Sequence, residues 1–229
     1  MLHKMGIASY VATSVAIILI ILISNAISIR SLSDVNKTFL SIPLVLSFFL
    51  LIGTRTIVNI PSANEANWIF KLTEGTDKKN YFSGLKKGIF FFMLLPLFVL
   101  LFLFYSFLWG WQLAFYHCLF GMIISLLLME VLFINYRKIP FVCSYLPGKA
   151  KLHLYWIIYI ICFLIYAFLM SSVEYKILNS PLSLFIFYGV VLVIIVGLKV
   201  SQNHFIYKKL EILYEEKPEP VMVTLIPYD

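Results

Sequence analysis

The chain has 229 residues, of which 62% are apolar, 17% aromatic and 13% charged, and its formal net charge is +7. A soluble domain carries about 25% charged residues to keep its surface in water, roughly twice this share. The composition excludes a soluble globule and a disordered chain, and it assigns the positive charge to membrane flanks, with no groove for nucleic acid.

A helix crossing about 30 Å of hydrocarbon needs about 20 apolar residues, and within lipid only a helix satisfies its own backbone. Runs near residues 7–29, 39–57, 88–109, 112–135, 152–171 and 181–200 meet that length. They predict an all-α polytopic membrane bundle of about six spans over residues 1–200, followed by a cytoplasmic tail at 201–229.

The first run has two readings. Lys4, the apolar stretch Val15–Ile23 and Ser24-Asn25-Ala26 have the order of a signal peptide with a cleavage site. Against that, the run stays helix-compatible for more than twenty positions, and Ala8, Ala12 and Ala16 form a small-residue stripe that would let a retained helix approach a neighbour. A retained span is the expectation. The small residues of the first and second runs mark both as bundle interior. Pro43 is placed in a first turn, as is Pro181, where a missing N–H is harmless.

Between the second and third runs lies the longest loop. Ser62-Ala63-Asn64-Glu65 matches the capping box S-x-x-E, and Gly75 can close the helix that follows. An amphipathic helix at 63–74 is predicted, with Trp68, Ile69, Phe70 and Leu72 on its wide apolar side. That side suits either the headgroup region, as a simple connector, or a groove on a partner protein.

The third run is apolar on every face and is expected to meet lipid over much of its surface, with Pro96 kinking it. Trp109 and Trp111, with Tyr155 and Trp156 further on, stand at span ends as interfacial anchors. The fourth run holds the two clear intramembrane ionisable residues, His117 and Glu130. They lie roughly 20 Å apart along the helix by its rise, in separate directions, and cannot pair with each other. Glu130 is about a turn from the inner boundary, where Arg55 or Lys199 can neutralise it. It is then either a structural ion pair or a carboxylate coupled to a proton or substrate. His117 reads as a hydrogen-bonded packing residue.

Cys118 and Cys162 sit in apolar runs as small hydrophobes, whereas Cys143 lies in a polar turn beside Arg137 and Lys149 and is a candidate reactive thiol. The segment 172–180 is assigned to a short outer loop. In the tail, Lys208 and Lys209 continue the last helix, and Val221–Ile226 alternates as a short strand or a frayed end.

With the N-terminus inside, every Lys and Arg except Arg30, Lys37 and Lys176 falls on the inner side. Such a split fixes both termini in the cytoplasm, against the anionic inner leaflet.

Two segments, Ala66-Asn67-Trp68-Ile69-Phe70 and Cys143-Ser144-Tyr145-Leu146-Pro147-Gly148-Lys149, resemble stretches of uncharacterised bacterial multi-span membrane proteins. The expected location is accordingly the bacterial cytoplasmic (inner) membrane, and that resemblance implies no activity. The layout of six spans, two inner termini and an inner helix after the second span is similar to that of ABC-type exporter permease subunits. In those proteins the inner helix couples to a separate ATPase.

No P-loop, H-E-x-x-H or G-x-S-x-G occurs, and the four histidines show no metal-ligand spacing. No enzyme activity, cofactor or metal is expected. The expected partners are the lipid bilayer, a cytoplasmic ATPase or another membrane subunit, and a second copy of the chain. Three readings of function stand: a permease-type subunit, a membrane scaffold or accessory subunit without transport, and a proton-coupled secondary carrier. The third needs further charge within the membrane, or paired broken helices, and the sequence displays neither plainly.

Overall fold

The computed structural model describes residues 2–24, 35, 37–58, 79–134, 136, 158–159, 161–178 and 180–202. The described residues are helical almost throughout and include no strand. Helix α1 is Leu2–Ser24 and α2 is Lys37–Val58. Helix α3 runs without a break through Lys79–Ile89, a π turn at Phe90–Leu94, and Leu95–Trp109. Helix α4 is Trp111–Leu132. Helix α5 comprises 161–164, a π turn at Ile165–Leu169, and Met170–Ile177. Helix α6 is Pro181–Ser201.

Four of these, α2, α3, α4 and α6, are long and apolar enough to cross a membrane. Of the other two predicted spans, α1 shows a shorter apolar stretch, Tyr10–Ile20, and the fifth begins among residues outside those described. The helix at 63–74, with Trp68, Ile69, Phe70 and Leu72, lies outside the described residues, as do Cys143, Tyr155, Trp156 and the tail beyond Gln202.

Helices α2 and α4 form the centre. They pack on each other, with α1 and α5 against α2, and with α3 and α6 against α4. About 61% of the most apolar stretch of α2 and 56% of that of α4 is buried, against 28% in α3 and 17% in α6. The outward faces are apolar all the same: Phe92, Phe107, Leu182 and Val193 are among the most exposed side chains. A contiguous apolar exterior of this kind belongs against hydrocarbon or another protein. The third span leaves most of its apolar stretch exposed, on the surface where lipid was expected.

Over Tyr10–Ile20 the first span is not interior. Ala12 and Ala16 are exposed, and Ser14 is the one buried residue of Tyr10–Ile20. The close approach of α1 to α2 is made by a glycine on the other helix. A Cβ built on Gly53 would fall 2.8 Å from Cγ of Tyr10, so the Tyr10 side chain occupies the space a side chain would need there. The Tyr10 hydroxyl also donates to Thr56 Oγ1 at 3.3 Å.

Pro43 departs from the sequence expectation, whereas Pro96 lies inside the third span as expected. Helix α2 begins at Lys37, so Pro43 lies inside it and beyond the first turn. Pro96 cannot donate to the carbonyl one turn back, and the π turn at Phe90–Leu94 immediately precedes it, with Leu95 N–H bonded to Phe90 O. The turn between α3 and α4 is the single residue Gly110, at φ 82°, a left-handed conformation that suits glycine.

Two further boundaries move. Lys79–Lys87, assigned to a loop, is helical, because Phe82, Lys86 and Ile89 form a buried stripe at helical spacing. Helix α5 reaches Ile177, which leaves only about three residues before α6 where a nine-residue outer loop, 172–180, was expected. These two extensions carry Lys86 and Glu174, each of which pairs with a residue of α4.

Candidate functional site

Helix α4 carries buried polar contacts at three levels. At its C-terminal end, the Lys86 ammonium lies 2.5 Å from Glu130 Oε2 and 2.6 Å from Gln202 Oε1, donating to both. Gln202 Nε2 donates in turn to the Glu130 carbonyl at 3.1 Å. That carbonyl belongs to the last turn of α4, where helical partners run out, so Gln202 serves as its cap. All three residues are at most 9% exposed. A lysine at a helix C-terminus also complements the negative end of the helix dipole.

This corrects the expected pairing of Glu130. The partner the structure gives it is Lys86, which enters because α3 begins at Lys79 and turns that side chain onto α4. Arg55 is half-buried in the last turn of α2. Lys199 is exposed and lines the same cavity as Glu130.

The cavity has a volume of about 490 Å³ and lies between the start of α3 and the ends of α4 and α6. Its floor is Lys86, Glu130 and Gln202, and its mouth carries Lys87 and Lys199, both exposed. Phe90, Leu126, Met129 and Ile195 supply an apolar wall.

In the middle of the bundle the Tyr166 hydroxyl lies 3.0 Å from Ser47 Oγ and 3.1 Å from Ser125 Oγ. Each serine also donates back to its own helix, Ser47 to Leu44 O and Ser125 to Gly121 O. One hydroxyl cluster thereby links α2, α4 and the π turn of α5.

At the opposite end, His117 Nδ1 and Glu174 Oε1 are 2.7 Å apart, with both side chains 1% exposed. The hydrogen bond expected of His117 is present, and its partner comes from a residue assigned to an outer loop. The Tyr105 ring meets the imidazole edge-on at 4.6 Å, and the Trp109 ring lies 5.5 Å away. Tyr105 donates its hydroxyl to Phe39 O at 2.7 Å. Trp109 therefore packs inward on Tyr105, Phe39 and His117, whereas Trp111 is 74% exposed as an anchor would be. Among the described residues, His117 Nε2, Glu174 Oε2 and Trp109 Nε1 are buried without a hydrogen-bond partner.

Cys118 is buried and Cys162 exposed on an apolar surface, in keeping with small hydrophobes. Among the described residues no three His, Cys, Asp or Glu side chains are grouped to hold a metal ion. Sequence reading missed Lys86, Glu174, Gln202 and Tyr166. The stripe Phe82, Lys86, Ile89 was the available signal for the first, and no comparable pattern marks the others. Comparison with protein-family models, with curated proteins and with solved structures gives no match.

Proposed function

We propose that this chain is a membrane-embedded transport subunit of permease type, with six spans and both termini in the cytoplasm. The observation that supports it is the cavity floored by Lys86, Glu130 and Gln202 within an otherwise apolar bundle. Ionisable groups are costly inside a bilayer, and there they mark ion and substrate routes. A bundle that had only to hold its shape would be served as well by apolar packing, since a buried ion pair adds little net stability.

In this reading the cavity is the inner vestibule of the route. Energy comes from a separate cytoplasmic ATPase, because the chain has no P-loop of its own. The apolar side of the 63–74 segment, Trp68, Ile69, Phe70 and Leu72, is its docking element. The test is purification in mild detergent with mass spectrometry of bound proteins and an ATP-hydrolysis assay in proteoliposomes. A hydrolysing subunit is expected in fixed ratio, released by Phe70→Glu while membrane insertion persists. A chain that purifies without an ATPase, or a variant that keeps its full partner set, contradicts the reading and leaves a scaffold or a proton-coupled carrier.

A proton-coupled carrier is the second reading, and one observation favours it. Glu174 and Lys86 supply the additional buried ionisable groups that such a carrier requires, near opposite ends of α4. Proton uptake into vesicles that is abolished by both Glu130→Gln and Glu174→Gln would select it over the first.

A further inference from the structure

The charge lining the inner cavity is unbalanced. Lys86 is neutralised by Glu130 at the floor, whereas Lys87 and Lys199 at the mouth have no carboxylate partner among the described residues. Asn80 and Ser83 stand at the same mouth and add an amide and a hydroxyl. The result is a donor-rich rim over an apolar wall of Phe90, Leu126, Met129 and Ile195. A volume of about 490 Å³ lies within the usual range for a small-molecule site, about 300–1,000 Å³.

We infer that this cavity binds an amphiphile with a phosphate headgroup. The phosphate, with several strong acceptor oxygens, sits between Lys87 and Lys199. The hydrocarbon chain follows the apolar wall toward Leu126 and Ile195. Two ammonium groups suit a phosphate better than a neutral headgroup, and lysine recognises it as a point charge. Basic pockets between spans at the cytoplasmic surface are natural seats for such headgroups. The inference names the ligand class of the vestibule and so rests on the transport reading for the ligand's fate, though not for its binding.

The same chemistry is available from a bilayer phospholipid and from a free alkyl phosphate, and the experiment separates them. The full-length chain in mild detergent is titrated with decyl phosphate, with decanol and with inorganic phosphate, reading thermal stability and affinity. Decyl phosphate is expected to bind saturably, about tenfold or more tighter than either control. Lys87→Gln combined with Lys199→Gln should remove that preference without changing the melting temperature of the ligand-free protein. Leu126→Trp should block binding by filling the wall. Equal binding of decanol and decyl phosphate, equal binding of inorganic phosphate, or an unaffected double variant would overturn the inference.

Lipid extracts of the purified chain then identify the source. Anionic phospholipid retained by the wild type and lost from the double variant assigns the ligand to the bilayer. Binding of decyl phosphate without retained phospholipid assigns it to a free ligand, and either outcome supports the site. Charge-dependent binding in a chain that has no ATPase partner sinks the ATPase-driven reading alone. An ATPase partner without charge-dependent binding sinks this inference alone.

Discussion

Lys86 and Glu130, 44 residues apart, meet at 2.5 Å inside the bundle, with Gln202 closing the third side. The pair ties the start of α3 to the end of α4, and the glutamine adds the end of α6. Removing one partner leaves the other charge buried and uncompensated, which costs about 3–5 kcal/mol. Replacing both with apolar residues of similar volume is often nearly neutral. Lys86→Met and Glu130→Leu are each expected to lower thermal stability in detergent by that order, and the double variant to recover most of the loss. Losses that simply add would show that the two side chains do not act as a pair.

At the other end the two members of the His117–Glu174 pair differ in kind. His117→Phe keeps an aromatic ring against Tyr105 and Trp109 but strands a carboxyl group in an apolar site. Glu174→Leu leaves the imidazole without its hydrogen bond, at a penalty of about 1–3 kcal/mol. The histidine variant is therefore expected to be the less stable of the two, as read by melting temperature at neutral pH. The reverse order would mean that Glu174 has another partner in the membrane.

Gly121 is a contact point of α4. A Cβ there would fall 2.8 Å from Cε1 of Phe98 and 3.6 Å from Pro43 Cβ. Gly121→Ala is expected to destabilise the bundle by about 1–3 kcal/mol through overpacking. Phe98→Leu in the same chain should relieve part of it, because the obstruction is the far edge of that ring. Thermal stability of the single and double variants checks both statements.

Tyr166→Phe deletes one hydroxyl that contacts two serines on two other helices. Hydrogen bonds within membrane bundles average about 0.6 kcal/mol, with a maximum near 1.7. A loss of about 1 kcal/mol is expected, and Ser125→Ala in the Tyr166→Phe background should add little. A further full-sized loss would detach the serine from this cluster.

The parts of the fold that were legible in the sequence are those governed by hydrocarbon as solvent. Unbroken apolar runs gave α2, α4 and α6 within a few residues of their observed bounds. Polarity was a poor guide to helix ends, because inside a bundle a charged residue can find a partner that sequence does not reveal. Lys86 and Glu174 stand in segments whose composition reads as loop, yet each faces a complementary group on α4. The same blindness applied to Ala12 and Ala16, whose small side chains permit close packing without requiring it. Gly53 is the residue that α1 uses. Glu130 and His117 were legible as residues of consequence, since isolated polar groups in apolar runs need an explanation. Their partners were not legible, since contacts at separations of 44 and 57 residues leave no local pattern.

The most direct test of a cytoplasmic vestibule is thiol labelling from each side of the membrane. Asn80→Cys, at the cavity mouth, and Ser180→Cys, in the opposite turn, are placed singly in a chain lacking Cys118, Cys143 and Cys162. With a membrane-impermeant maleimide, Ser180→Cys should label in intact cells, and Asn80→Cys only in inside-out vesicles. Labelling of Asn80→Cys from the cell exterior, or of both positions from one side, would contradict it.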